Sequence, residues 1–525
     1  MSDLSSDVGK HRAWRKLGVF LCIIGIILEA LFLGNIFKWA DKKIITSEYN
    51  SVVRSKYMMS VTQDKDHELE YSDQGFMSGV YYSNWSPYKA RNHFPHDIDF
   101  RQVTHVFYSF FVVDADSGEC RSSDEWSDSQ MDVYKQMMFS FQEMNFTKTY
   151  KDQDLATQSK LPLGCLGELF YLKYSNFLVS RGGPAKVNNF KTLMSVGGWS
   201  NRSAFKSLAD NPQKLQKFLD SCIENMFKYG VDGIDIDWEF PENNSQEPQI
   251  YLEMMKSLRE KLDKLENAIF GSEQHSQHFL LTTAISADPV NLEHLPLSEI
   301  EQSVNYFNLM AYDFSGSWSE RTAYQSNLYD MDLRSKRDHS ADTSADHTVQ
   351  MLMSKFNVPS SKIILGMPAY GRGFKKVSAP KDNDNVVVNM KFHGVKGTSE
   401  GEDGISLYKT LPPNGYQEHF DPEAVSAFCI KKSPIKSSTN LFVYDNPDSM
   451  SLKAKYVLSH QLGGGFWWES CGEDYRNKDR SLTRRFTQEL KIVKKAEPTI
   501  YLLPQVALFY RKTYPNGFLT PLLSP

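Results

Sequence analysis

Asp235, Asp237 and Glu239 stand two residues apart, with Ile234, Ile236 and Trp238 alternating with them. In an extended strand, successive side chains point to opposite faces. One face of this strand would be a file of carboxyls and the other wholly apolar. Crowding like charges on one strand face stabilises no fold, and ionised groups are rarely buried without partners. An exposed edge strand blunted by charge would also carry acids. The two isoleucines, the tryptophan and the Asp232-Gly233 entry argue instead for a buried apolar side and an acidic side that serves a reaction. Asp232 has the opposite parity to the other acids and is expected to cap the strand entry.

Strand-like runs recur along the chain at 79–83, 104–111, 192–196, 233–238, 279–285, 306–312, 363–367 and 465–468. Helical patterns separate several of them. In 213–229 Leu215, Phe218, Leu219, Cys222, Ile223 and Met226 form one apolar stripe, and in 246–266 Leu252, Met255, Leu258, Leu262 and Leu265 form another. Strands alternating with helices predict parallel pairing. Eight such strands predict a closed (β/α)8 barrel, which needs about 250 residues. An open doubly wound sheet fits the same alternation but usually carries a GxGxxG phosphate loop. Gly371-Arg372-Gly373 and the glycines at 463–465 do not complete one.

Barrel enzymes place their chemistry at the C-terminal strand ends. Here those ends carry Asn84-Trp85, Tyr108 and Phe110, Gly197-Gly198-Trp199, Glu239, Met310-Ala311-Tyr312-Asp313, Tyr370-Gly371-Arg372 and Trp467-Trp468-Glu469. Polar and aromatic groups thus gather at one end, as a carbohydrate cleft requires. Phe110, Gly198, Trp199, Met310, Asp313, Tyr370, Arg372 and Trp468 are expected to line it.

Outside the barrel pattern, 17–37 is almost wholly apolar, broken only by Glu29, and follows Lys10, Arg12, Arg15 and Lys16. As a helix it would span roughly 31 Å, enough to cross a bilayer. Its length exceeds a signal-peptide core, and no small-residue cleavage site follows closely. It reads as an uncleaved signal-anchor, with 1–16 cytoplasmic and the remainder luminal or extracellular. Cleavage would instead make the protein secreted. Residues 38–75 read as a stem, 76–485 as the barrel with an insertion at 371–443, and 486–525 as an unpatterned C-terminal tail. Net charge is −5 and no basic stripe is interleaved with aromatics, which argues against nucleic acid as partner. The cysteines are Cys22, Cys120, Cys165, Cys222, Cys429 and Cys471, with no CxxC or zinc-ligand spacing. His93 and His96 read as loop residues, so neither metal nor cofactor is expected. Sequons occur at Asn84, Asn145, Asn201 and Asn243, of which Asn145 is expected to be the glycosylated one.

The acidic stretch resembles the signature of the family-18 glycoside hydrolases, the chitinase family, with Asp232, Asp235, Asp237 and Glu239 at its four acidic positions. Tyr81-Tyr82-Ser83-Asn84-Trp85 is similar to the family's first strand, Ser195-Val196-Gly197-Gly198-Trp199 to its third and Met310-Ala311-Tyr312-Asp313-Phe314 to its sixth. The resemblance covers roughly 76–475, and Gly164-Cys165-Leu166-Gly167 looks like the fungal branch. It implies a small α+β insertion domain between strands seven and eight. It also implies a retaining, substrate-assisted hydrolysis of N-acetylglucosamine polymers. In that scheme Glu239 is the general acid, Asp237 holds the substrate acetamide N–H, and Asp235 shares a proton with Asp237. Tyr312 hydrogen-bonds the acetamido oxygen, Asp313 and Arg372 bind nearby hydroxyls, and Trp468 floors the cleft. The resemblance also adds Tyr82 to the residues expected to line it.

Two other readings keep the barrel. A chitin-binding lectin would have lost the terminal Glu of the signature, whereas Glu239 is present. An endo-β-N-acetylglucosaminidase would use the same carboxyls on N-glycan cores.

Overall fold

The computed structural model describes residues 69–133, 162–182, 189–271, 275–330, 343–378, 388–397, 403–431 and 438–523. The apolar segment 17–37, its basic flank, nearly all of the expected stem and Asn145 lie outside the described residues. Among the described residues no helix is long and apolar enough to cross a membrane.

Eight parallel strands form the centre: β1 (Met77–Ser83), β2 (His105–Val113), β3 (Lys191–Gly197), β4 (Gly233–Asp237), β5 (Leu280–Ser286), β6 (Tyr306–Met310), β7 (Ile363–Pro368) and β8 (Gly464–Trp468). Each pairs with its sequence neighbour, β8 pairs back onto β1, and β1 pairs with β2, so the sheet closes. The strands are apolar on the helix side because helices such as Pro212–Tyr229 and Glu247–Phe270 bury their stripes there. Asn211 caps the first of these, its side chain accepting from the Gln213 and Lys214 N–H groups, and Gly230 ends it in the left-handed conformation.

The barrel interior is a packed core. Met77, Tyr81, Phe107, Leu193, Ile364 and Phe466 form one buried cluster, with Met310, Tyr312 and Trp468 packed against its upper side. Room for Phe466 comes from Gly366, where a Cβ would lie 2.6 Å from the Phe466 ring. Register sets the height of each inward residue: Asp235 sits opposite Ser195 on β3 and Thr282 on β5, and Asp237 opposite Gly197.

Between β7 and β8 the chain builds a five-stranded antiparallel sheet in the order Ile405–Leu407, Tyr370–Ser378, Ser438–Tyr444, Ser426–Lys431, Gln417–Asp421. Its core contains Phe374, Val377, Phe428, Leu441 and Val443. The helical part of the expected α+β insertion is absent among the described residues of 371–443, where the only helix is the short 3-10 turn Tyr408–Thr410.

The C-terminal segment departs from its unpatterned reading. Helix Leu482–Leu490 leads into strand Ile492–Lys494, which pairs in parallel with Glu70–Ser72 from the expected stem. Tyr501 and Tyr510 are fully buried, and their hydroxyls donate to backbone carbonyls of Met226, Val231 and Lys228. The segment closes the bottom of the barrel with aromatic bulk. Aromatic packing of this kind has no fixed period, so alternation rules do not register it.

Asp232 is buried at that same end. It accepts from Lys173 Nζ at 2.7 Å, the Thr192 N–H at 2.9 Å and Thr499 Oγ1 at 2.6 Å. Burial alone would raise its pKa, but Lys173 and Lys191 hold it below the usual carboxylate value. Its role is structural, as its strand parity predicts. His93 and His96 are not simple loop residues either: the rings bond Ser470 Oγ at 2.9 Å and the buried Glu168 carboxyl at 2.5 Å. The five cysteines among the described residues are buried free thiols.

Candidate active site

Strand alternation on β4 aims Asp235 and Asp237 into the barrel, while Ile234, Ile236 and Trp238 pack outward, Trp238 stacking on Phe205 at 5.0 Å. Asp235 lies deepest. Its Oδ2 accepts from Tyr81 OH at 2.9 Å and Ser195 Oγ at 2.7 Å, and its Oδ1 from Thr282 Oγ1 at 2.6 Å and Asn308 Nδ2 at 3.3 Å. Burial raises its pKa, and the four donors oppose the rise.

Asp237 is buried next above it, and its Oδ1 accepts no hydrogen bond. Burial, then the neighbouring Glu239 and Asp235 charges, push its pKa well up. Two carboxyls this close cannot both ionise cheaply. The donors all serve Asp235 and favour its ionised form, whereas burial and the neighbouring charges favour the protonated form of Asp237.

Glu239 sits at the strand end, partly buried. Burial and the Asp313 charge raise its pKa to about 7, against the Trp199 N–H and the Arg202 charge, which lower it. It is therefore a carboxylic acid near neutrality, suited to proton donation.

The turn after β3 brings the backbone over these acids. The Gly198 N–H donates to the Asp237 carbonyl at 2.9 Å. Gly198 has φ of 80°, and a Cβ there would meet the Phe110 ring at 2.6 Å, so glycine is required on both counts. Trp199 follows, 58% exposed, with the Arg202 guanidinium 4.0 Å from its ring centre.

Trp468 ends β8. Its ring stacks on Phe110 at 5.6 Å and 21° and lies 5.6 Å from Tyr81 and 6.4 Å from Trp85. On the far side, Tyr312 is flanked edge-on by Tyr370 and Phe466. Burial and then the Asp237 charge keep the Tyr312 hydroxyl protonated, its pKa well above the ordinary value. Asp313 accepts from Tyr370 OH at 2.5 Å and from Arg372 Nε at 2.7 Å. Arg372 comes from the inserted sheet, so that sheet walls the cleft. Its guanidinium stacks over Trp318, 4.5 Å from the ring centre, and Trp318 is 58% exposed.

Of the residues expected here, Asp235, Asp237, Glu239, Tyr312, Phe110, Gly198, Trp199, Met310, Asp313, Tyr370, Arg372 and Trp468 lie on the barrel's inner and upper surface. Tyr82 does not. It points outward from β1, fully buried, with its hydroxyl on the His93 carbonyl at 2.9 Å and near Cys165 Sγ. The inward tyrosine is Tyr81. Two adjacent tyrosines cannot be told apart by alternation when nothing else in the strand marks its inner face. Sequence reasoning also passed over Ser195, Thr282 and Asn308 as functional, because uncharged polar residues in strands carry no signal until a carboxyl is seen between them. Trp318 was missed because it sits in a loop.

Asn84, one of the four sequons, is buried and bonded to Ser123 and Asp128. Asn201 is bonded at both ends to the Val113 backbone. Asn243 is exposed.

The family model described as glycosyl hydrolases family 18 matches residues 77–474. The sporulation-specific chitinase 2 of Saccharomyces cerevisiae is 40% identical over 516 residues, covering 96% of this chain and 95% of that protein. Endochitinase 1 of Metarhizium robertsii is 32% identical over 76% of this chain and 82% of its own length. The catalytic domain of chitinase B from Arthrobacter TAD20 has the same fold, with a TM-score of 0.65, 22% identity, and coverage of 82% of this chain and 100% of that one. With the barrel, the carboxyl file and the inserted sheet all in place, the chain belongs to family 18 of the glycosyl hydrolases.

Proposed function

We propose that this enzyme hydrolyses β-1,4-linked N-acetylglucosamine polymers by a retaining, substrate-assisted mechanism. The observation that carries this reading is the contrast within the file: a partly buried Glu239 with a raised pKa beside an Asp237 whose buried Oδ1 lacks a partner. In the proposed reaction a sugar rests on Trp468 with its 2-acetamido group directed at Asp237 and Tyr312. Glu239 gives its proton to the leaving glycosidic oxygen. The acetamido oxygen, held by the Tyr312 hydroxyl, attacks the anomeric carbon and forms an oxazolinium ion. Asp237 gives up the proton it shares with Asp235 to the inner carboxylate and, now ionised, accepts the acetamide N–H and balances the positive charge of the oxazolinium ion. The proton returns when the ring reopens, because the four donors on Asp235 favour its ionised form. Glu239, now a carboxylate, takes a proton from water, which attacks the anomeric carbon and restores the acetamido group with net retention.

The full-length similarity to a sporulation-specific chitinase supports a role in remodelling cell-wall chitin. The deciding experiment compares an N-acetylated oligomer with its fully deacetylated counterpart. Only the first should be cleaved, with the β-anomer released first; equal cleavage of both would overturn substrate assistance. Release of intact N-glycans from glycoproteins, with chitin oligomers untouched, would favour the glucosaminidase reading.

The membrane reading of 17–37 is a proposal carried by sequence: a membrane-length apolar run behind four basic residues. It places the catalytic domain on the luminal or extracellular side. Retention in the membrane after alkaline carbonate extraction supports it, and recovery of a soluble chain starting near residue 35 would replace it with cleavage.

A further inference from the structure

We propose that Glu266, His275 and His278 form a site for one divalent transition-metal ion of the zinc class, at the end of the barrel opposite the catalytic carboxyls. Glu266 lies in the last turns of helix Glu247–Phe270, and the two histidines lie just before β5. The N-terminal strand ends are remote from the cleft, so this cluster takes no part in the chemistry described above.

One ligand atom from each of the three residues lies within 4.8 Å of the others. Tetrahedral zinc with bonds of about 2.0–2.1 Å needs ligand atoms about 3.3 Å apart. The widest separation must therefore shorten and the 2.7 Å contact between Glu266 Oε2 and His278 Nδ1 must lengthen slightly, and the His278 side chain, 56% exposed, has room to make both shifts. Glu266 is the fixed member. It is buried; its Oε1 accepts the Phe279 N–H at 2.7 Å and lies 3.4 Å from Arg259 Nη2. The same arginine donates to the Phe279 carbonyl at 2.9 Å and pairs with Asp263. These contacts aim Oε2 at His278 Nδ1, 2.7 Å away.

His275 is oriented as a ligand is. Its Nδ1 lies 2.7 Å from the Gln277 carbonyl, which can only accept, so the proton is on Nδ1 and the lone pair on Nε2. A carbonyl behind the ring is the usual outer-shell support of a metal-bound histidine. The ring is further held against Phe270, with centroids 4.1 Å apart, and lies 4.8 Å from the His278 ring. An ion pair between Glu266 and His278 would need no second imidazole. Two imidazoles and one carboxylate suit zinc and its transition-metal neighbours, whereas calcium and magnesium prefer oxygen sets. The exposed side leaves the remaining coordination positions to water. The site would tie the end of the helix to the start of β5. Sequence spacing hid it because Glu266 lies on a helix and the two histidines lie beyond that helix's end.

The test uses the purified full-length chain, stripped with EDTA and titrated with Zn2+ by calorimetry and native mass spectrometry. One zinc per chain and a rise in Tm are expected. His275→Ala and His278→Ala should each weaken binding by about tenfold or more, while hydrolysis of chitin oligomers stays unchanged. Absence of stoichiometric zinc, or equal zinc affinity in both variants and the parent, would show that the cluster is only a carboxylate–histidine pair. Calcium binding as tight as zinc would overturn the assigned metal class.

Discussion

Asp235 and Asp237 share one face of one strand, yet Asp235 accepts four side-chain hydrogen bonds while Oδ1 of Asp237 accepts none. The barrel interior thus separates two chemically identical groups. The deeper one is equipped to carry charge, and the upper one is buried with an oxygen that no protein donor serves. Glu239, one step further out, completes a gradient from fixed to available carboxyl.

Replacing Glu239 by Gln removes the acid but keeps shape. Turnover on N-acetylated oligomers should fall by at least ~100-fold, with oligomer binding retained. Stability should not suffer. The pKa of Glu239 is raised from 4.5 to about 7, so the folded state holds the proton more tightly than the unfolded chain. Its contribution to stability therefore falls as pH rises across that interval. The Gln variant lacks this loss, and its Tm relative to wild type should be higher at pH 7 than at pH 4.

The pH profile of kcat/KM should have an alkaline limb near 7, because only protonated Glu239 donates to the leaving group. Asp313 contributes to the raised value. Asp313→Asn should therefore move that limb toward lower pH, alongside a loss of substrate affinity from the released Arg372. A limb that stays in place would remove Asp313 from the electrostatics of the acid.

Tyr81→Phe tests the floor of the site. The hydroxyl donates to Asp235 Oδ2 and accepts from Asn308 Nδ2 at 3.1 Å. Losing a hydrogen bond to a charged group costs about 1.5–3 kcal/mol. Steady-state kinetics should show kcat lowered by roughly tenfold or more with KM little changed. Tyr82→Phe, on the outer face, should leave kinetics near wild type and lower Tm.

Deleting 499–525 should abolish folding. It removes the Thr499 donor from Asp232 and the buried Tyr501 and Tyr510 from beneath the barrel. Two buried aromatics alone are worth ~6 kcal/mol or more, comparable to the whole stability of a typical domain. Expression of the truncated chain should yield aggregate; a soluble, cooperative thermal transition near the wild-type Tm would show the segment to be dispensable.

Much of this protein is legible in its sequence by itself. Period-two alternation puts Asp235, Asp237 and Glu239 on one face, because a strand offers its residues only two directions. The same parity sets Asp232 apart. Eight strand-like runs separated by helical stripes predict parallel pairing, because parallel strands need crossovers, and the missing phosphate loop favours a barrel over an open doubly wound sheet; the pairing of β8 back onto β1 closes it. The residues after each run mark the catalytic end. What tertiary structure decided is everything that depends on which strands meet at which register. Register placed Ser195 and Thr282 beside Asp235 and chose Tyr81 over Tyr82 for the interior. It also folded the C-terminal segment under the barrel, where Thr499 reaches Asp232 across 267 residues of chain. Such contacts join residues far apart in sequence, and no local periodicity encodes them; only the closed sheet and its packed ends bring them together.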